Sequence, residues 1–312
     1  MKSKNLIPYL ITSILVLANC RLLSQKHLHE GKDFIKQELE WGGQKRKYYV
    51  HIPVSKDPSQ FKIPLLVMLH GRFGSGLQVM EQTSLNIYAD QENFLVVYPD
   101  GYSRSWADGR GNTPADQESI DDVGFIERLL DRILREYPVD PKKLFVAGHS
   151  NGGFMTQRLL VERSGMFAGG FSVSAHLSLA IVKKYTPSKP VSVGFMLGTG
   201  DPLVPYYGGF VRDGGEILSA SDSFDAWRKW NGCTSQTIET HQDAIEDLTS
   251  VDIFQSFPCK ENTKIKLIRI NEGGHSWPGQ DQKIPFVKMG NPTKEVDGAK
   301  EMISFFKEIG MK

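Results

Sequence analysis

The stretch Gly148-His149-Ser150-Asn151-Gly152 is where residue types and spacing first suggest covalent chemistry in this chain. A serine hydroxyl is a weak nucleophile until a base takes its proton, so the pattern matters only if a turn exposes the serine and a base reaches it. Glycines two positions to either side permit a sharp strand-to-helix turn whose neighbours pack too closely for side chains. Such a turn lifts Oγ above the strand ends and aims amides of the following helix at developing negative charge. Glycine and serine are common, so the pattern alone is weak. Its context is stronger, because the apolar run 144–147 leads into it and the amphipathic segment 154–160 follows. The competing reading is an ordinary strand–turn–helix connection.

A nucleophilic serine needs a base, and the base needs an orienting acid. On a strand–turn–helix scaffold of this kind they follow in the order serine, acid, histidine, each on a loop after a late strand. Beyond the apolar run 191–197 only His241 and His275 remain. His241 lies in a polar, acidic insert with no strand leading into it. His275 stands in Gly273-Gly274-His275-Ser276-Trp277-Pro278-Gly279, just after the run 265–270, where glycines let the loop carry the ring towards the serine. The acid expected is Asp201, in Gly198-Thr199-Gly200-Asp201-Pro202. A turn aspartate before proline is the plainer alternative. Asp213, Asp222, Asp225, Asp243, Asp247 and Asp252 also lie in the interval, but none directly follows a buried run.

The elements that must position these residues read as alternating strands and helices. Runs 64–69, 94–98, 144–147 and 191–197 are continuously apolar, as strands buried on both faces of a parallel sheet are. The run 265–270 alternates, which predicts a more peripheral strand. Segments 34–39 and 47–52 flank Gly42-Gly43 and predict a hairpin. A helix capped by Asp121 or Asp122 carries Val123, Ile126, Leu129, Leu130, Ile133, Leu134 and Tyr137 on one stripe and stops at Pro138. Further helices are expected over 152–163, 221–230 and 295–309. The sum is an α/β fold: a mostly parallel central sheet with an N-terminal antiparallel hairpin and helices on both faces. No repeat or linker divides the chain, so 33–312 is expected to be one catalytic domain.

Residues 1–19 differ from the rest. Lys2 and Lys4 precede the uncharged apolar run 6–17, the pattern of an export signal, and the run is shorter than the ~20 residues a bilayer-spanning helix needs. Leu17-Ala18-Asn19-Cys20 resembles a bacterial lipobox, which would make Cys20 a lipidation site and residues 20–32 a tether. Plain secretion is the alternative. Cys233 and Cys259 are then an even pair in an oxidising compartment, either a disulfide or two buried thiols. The 312 residues carry 37 Lys and Arg against 36 Asp and Glu, a net charge of +1, which excludes a broad basic surface for nucleic acid.

Six segments in order resemble a known family: Leu69-His70-Gly71, Asp122-Val123-Gly124-Phe125, Gly148 to Gly153, Gly198-Thr199-Gly200-Asp201, Trp230-Asn231-Gly232-Cys233 and Gly273 to Gly279. Together they are similar to the polyhydroxybutyrate depolymerase-like and feruloyl esterase-like secreted esterases (carbohydrate esterase family 1 type) of the α/β-hydrolase superfamily. The resemblance runs from about residue 45 to the C-terminus. It implies Ser150 as nucleophile, Asp201 as acid, His275 as base, and the backbone amides of Arg72 and Asn151 as oxyanion hole. It also supports pairing Cys233 with Cys259. Polymer-cleaving relatives often have cysteine where Arg72 stands, a change that alters the charge and size of the groove.

The expected activity is hydrolysis of feruloyl-type, acetyl-type or polyester-oligomer esters through an acyl-serine, with no metal or organic cofactor. Trp106 and Trp277 are candidate substrate-binding faces, or else core and loop anchors. The expected partners are the ester substrate and, through an N-terminal lipid anchor alone, a membrane. The competing class is a catalytically silent surface binding protein on the same scaffold.

Overall fold

The protein is described from a computed structural model covering residues 34–54, 62–235, 237–280 and 287–312. The export signal, Cys20 and the tether lie outside these residues. Apart from Phe34 and Ile35, the described residues all lie in one compact unit, Lys36–Lys312.

The hairpin forms as expected. Strands β1 (Ile35–Trp41) and β2 (Gln44–His51) are joined by Gly42 and Gly43, both with positive φ (56° and 74°), the backbone a two-residue hairpin turn requires. The apolar runs become β3 (Ile63–Leu69), β4 (Leu95–Pro99), β5 (Val139–His149) and β7 (Ser192–Gly198). β6 (Gly169–Val173) completes the centre, and a two-stranded ribbon forms from β8 (Gly209–Phe210) and β9 (Glu216–Ile217). The remaining strands are β10 (Thr237–Gln242), β11 (Ser250–Ser256) and β12 (Ile265–Asn271).

Ten strands make one sheet in the order β1-β2-β4-β3-β5-β6-β7-β12-β11-β10. From β4 to β12 neighbours are parallel, and the antiparallel pairs lie at the two ends. Two expectations need correction. β12 is an interior strand between β7 and β11, with Lys266 almost fully buried and its ammonium 3.8 Å from Glu301 and 3.7 Å from Glu308. Lysine there reads as polar alternation, but its methylene stem packs inside while its charge is paired. Strand β10 runs into the polar insert 239–247, against the expectation that no strand leads into it, and pairs with β11; His241 and Asp252 stand opposite each other across that pair.

The helices are α1 (Gly76–Thr83), α2 (Leu85–Glu92), α3 (Pro114–Gln117), α4 (Asp122–Glu136), α5 (Asn151–Glu162), α6 (Leu179–Lys184), α7 (Ala220–Trp230) and α8 (Gly298–Glu308). Asp121 caps α4 by accepting from Gly124 N–H at 2.9 Å. Asp122 is buried and pairs with Arg46 at 2.7 Å while accepting from Ala107 N–H at 2.7 Å, so it anchors the loop after β4. Cys233 and Cys259 form a disulfide. No helix of the described residues is long and apolar enough to cross a membrane.

Candidate active site

Ser150 sits at the turn from β5 into α5 with φ 55° and ψ −121°, a conformation that a side chain makes costly. Its neighbours enforce it. A Cβ on Gly148 would collide with the carbonyl of Gly152; one on Gly152 would meet the carbonyls of Leu69 and, at 2.6 Å, His70. The turn is therefore pressed against the end of β3, and Gly71 lies beside the serine, since a Cβ there would be 3.4 Å from Ser150 Cβ.

Ser150 Oγ is 2.8 Å from His275 Nε2, and His275 Nδ1 is 2.6 Å from Asp201 Oδ2. The geometry assigns the His275 proton to Nδ1, donated to the carboxylate, leaving Nε2 to accept from the serine. Asp201 is itself held, because its Oδ1 accepts from the N–H groups of Leu203 (2.8 Å) and Val204 (2.9 Å). The Gly273-Gly274 segment fits between two strand ends: a Cβ on Gly198 would strike Gly273 and Gly274 carbonyls, and one on Gly274 would strike Met289. His275 N–H donates to Met289 carbonyl at 2.6 Å.

Two further histidines were missed as site residues by sequence reasoning. His149 is buried, and burial together with the His275 imidazole pushes it down to about 3. Neutral, it donates from Nε2 to the His275 carbonyl at 2.9 Å. His70 is buried and pushed down by burial to about 4. It donates from Nδ1 to Gly71 carbonyl at 2.7 Å and accepts at Nε2 from Gly101 N–H at 2.8 Å. In a trans peptide C=O and N–H point apart, so this bond turns the Arg72 amide the other way. Both follow from the strand-end positions of His70 and His149, and adjacency to the glycine turns was the one available signal.

Trp106 and Trp277 are 0% and 1% exposed, so neither ring offers a face to substrate. Trp106 Nε1 donates to His70 carbonyl at 2.9 Å, and the Trp277 ring lies edge-on 5.9 Å from the His149 ring. They anchor loops. Phe73, next to Arg72 in sequence, is an exposed aromatic, 69% accessible. Arg72 does not leave a free cation in the groove, because its Nη1 is 2.6 Å from Asp213 Oδ2. Among the described residues no cluster suits a metal ion.

Comparison with known proteins agrees with this architecture. The family model described as Prolyl oligopeptidase family matches residues 82–200, which span the serine turn and end just before Asp201. A protein of Nocardia uniformis subsp. tsuyamanensis provisionally named esterase NocK is 26% identical over 78% of this chain and 74% of its own length. Feruloyl esterase B of Piromyces equi is 29% identical over 75% of this chain, which spans 44% of that protein. The acetyl xylan esterase from Aspergillus awamori superposes with a TM-score of 0.56 at 13% identity, covering 88% of this chain and 99% of that one. The chain thus has the α/β-hydrolase fold, and the relatives it matches over three quarters of its length are named as esterases.

Proposed function

We propose that the chain is an exported esterase that releases feruloyl-type or acetyl-type acyl groups from polysaccharide, with Ser150 as nucleophile, His275 as base and Asp201 as its orienting acid. The observation that carries the reading is the unbroken hydrogen-bond line from Ser150 Oγ through His275 to Asp201, at 2.8 and 2.6 Å. His275 Nε2 takes the serine proton as Oγ attacks the ester carbonyl. The oxyanion then rests on the Asn151 and Arg72 amides, and each such donor is worth roughly 3–4 kcal/mol of transition-state stabilisation. His275 returns the proton to the departing alcohol. Water, deprotonated by the same ring, cleaves the acyl-serine.

The substrate class rests on the relatives, two of which are named for feruloyl and acetyl xylan esters. Phe73, one residue beyond Arg72, supplies an exposed ring against which an aryl group or a sugar face would pack. Export rests on residues 1–20 and on the Cys233–Cys259 disulfide, a bond of oxidising compartments. The match to a peptidase family spans residues 82–200 and stops short of Asp201 and His275.

The test is fluorophosphonate labelling of the mature protein beside Ser150→Ala, with turnover of p-nitrophenyl acetate, methyl ferulate and a prolyl anilide. Labelling and ester turnover lost in Ser150→Ala, with the anilide untouched, is the expected result. A folded wild type that neither labels nor turns over any ester would reject the esterase in favour of a silent binding protein; anilide cleavage in preference to ester would reject it in favour of a peptidase.

A further inference from the structure

Outside the Ser150–His275–Asp201 line, one string of paired charge, buried at Asp108 and Arg110 and partly exposed at Asp213 and Arg72, touches the site from both sides. Asn151 Nδ2 donates to Asp108 Oδ2 at 2.6 Å. Arg110 grips the same carboxylate through three hydrogen bonds, from Nε at 3.2 and 3.1 Å and Nη2 at 2.8 Å. Its Nη1 reaches Asp213 Oδ1 at 3.1 Å and Gly214 carbonyl at 3.2 Å. The other Asp213 oxygen holds Arg72 at 2.6 Å. The Asp108 and Arg110 side chains are essentially inaccessible, and the Arg110 guanidinium lies 4.0 Å from the Phe154 ring centre on α5.

The string is balanced, two carboxylates against two guanidinium groups, and its buried pair, Asp108 with Arg110, is tolerable away from water because each neutralises the other. Burial pushes the Asp108 carboxyl up, and the fork of Arg110 pulls against that. Burial also works against the Asp213 charge, yet Arg110 and Arg72 together hold its carboxyl below the usual range. Among the described residues, Asp213 is the one polar hold on the Arg72 side chain, whose Nε is buried without a partner. Asn151 is fixed further by exchanging hydrogen bonds with the Trp106 backbone, at 2.8 Å to its Oδ1 and 3.1 Å from its Nδ2.

The two residues at the ends of the string, Asn151 and Arg72, are those whose amides form the oxyanion hole in the proposed mechanism, and the inference rests on that reading. We propose that Arg110, through Asp108 and Asp213, is a positioning residue that clamps both hole-forming residues to one buried guanidinium. Asp213 belongs to the segment between β8 and β9, so the same clamp ties that ribbon to the hole. The ribbon and the turn before it carry Phe210 and Tyr207, 73% and 78% exposed. Contacts a substrate makes there thus bear on a wall that is mechanically continuous with the amides receiving negative charge.

The experiment compares Arg110→Gln, Arg110→Lys and the cycle of Arg72→Met with Asp213→Asn, using p-nitrophenyl acetate, a phenylboronic acid that mimics the tetrahedral intermediate, and Ser150→Ala as blank. Misplaced amides weaken transition-state binding selectively. Arg110→Gln is expected to lose roughly 10–100-fold in kcat, the scale of a misplaced catalytic group, with KM nearly unchanged. Boronate affinity should fall in step, Arg110→Lys should recover part of the loss, and the Arg72→Met/Asp213→Asn double variant should be no worse than the poorer single one. A folded Arg110→Gln protein with wild-type kcat and boronate affinity would overturn the clamp while leaving the esterase reading intact. Should that variant fail to fold, additive losses in the Arg72–Asp213 cycle overturn it instead. Wild-type turnover that survives in Ser150→Ala would sink the esterase reading, and the clamp with it.

Discussion

His149 Nε2 donates to the backbone carbonyl of His275 across 2.9 Å, so the residue preceding the serine holds the loop that delivers the base to it. The two rings stand 5.3 Å apart. Because burial keeps His149 neutral down to about pH 3, this donor persists over any working pH. His149→Phe keeps a ring but removes the donor and leaves a buried carbonyl unpaired. The expected outcome is a kcat loss of roughly 10–100-fold with fluorophosphonate labelling slowed to match, and a stability loss of about 1–3 kcal/mol in denaturant titration. Labelling at the wild-type rate would show that the loop holds itself.

Gly152→Ala tests the packing beneath the serine turn. The added methyl meets two backbone carbonyls, those of Leu69 and His70, and neither is the end of a flexible side chain. Relief requires β3 or its following loop to move, and that loop carries Arg72. Overpacking of this kind costs about 1–3 kcal/mol, so a lowered unfolding midpoint is expected together with a kcat loss larger than the folded fraction explains.

Acid stability should be set in part by His70, His149 and His176. Each is buried, and burial pushes them from the ordinary 6.5 to about 4, 3 and 4 respectively. The unfolded chain binds these protons near pH 6.5 and the native protein does not. Their contribution is therefore complete above about pH 6.5 and is lost as pH falls towards 4, with a slope approaching ~1.4 kcal/mol per pH unit for each group. Denaturant melts from pH 7 to 4 should show the decline. His176→Gln, which removes one titrating group, should make it shallower.

The disulfide joins cysteines 26 positions apart in sequence, which corresponds to about 3.5 kcal/mol in the chain-entropy picture. Cys233→Ser/Cys259→Ser should melt several degrees lower and keep its kcat at 25 °C, because neither sulfur touches the Ser150, His275 or Asp201 side chains. A calorimetric scan with parallel ester assays separates the two effects.

Much of this architecture was legible because each cue was local. A continuous apolar run, a glycine turn and a helical stripe identify β5, Ser150 and α5 within twenty residues, and the order of elements then singles out Asp201 and His275. Two kinds of feature escaped. β10 and β11 are strands by virtue of partners across the sheet, and polar residues are satisfied between strands, as when Asp252 of β11 accepts from His241 of β10 at 2.6 Å and Asn271 of β12 at 2.9 Å. The Asp108–Arg110–Asp213 string joins residues a hundred positions apart, and charged side chains in a glycine-rich loop read as solvated. For Trp106 and Trp277 the sequence leaves binding face and loop anchor equally open, because burial is decided by distant neighbours, and both rings are filled into the scaffold.

The backbone of Ser150 has a consequence for how this protein could change. At φ 55° a glycine would rest more easily than a serine, by an amount on the order of 1–3 kcal/mol. Ser150→Gly should therefore be a more stable and inert molecule. Selection for stability alone would favour losing that hydroxyl, so its retention runs against the fold's own preference.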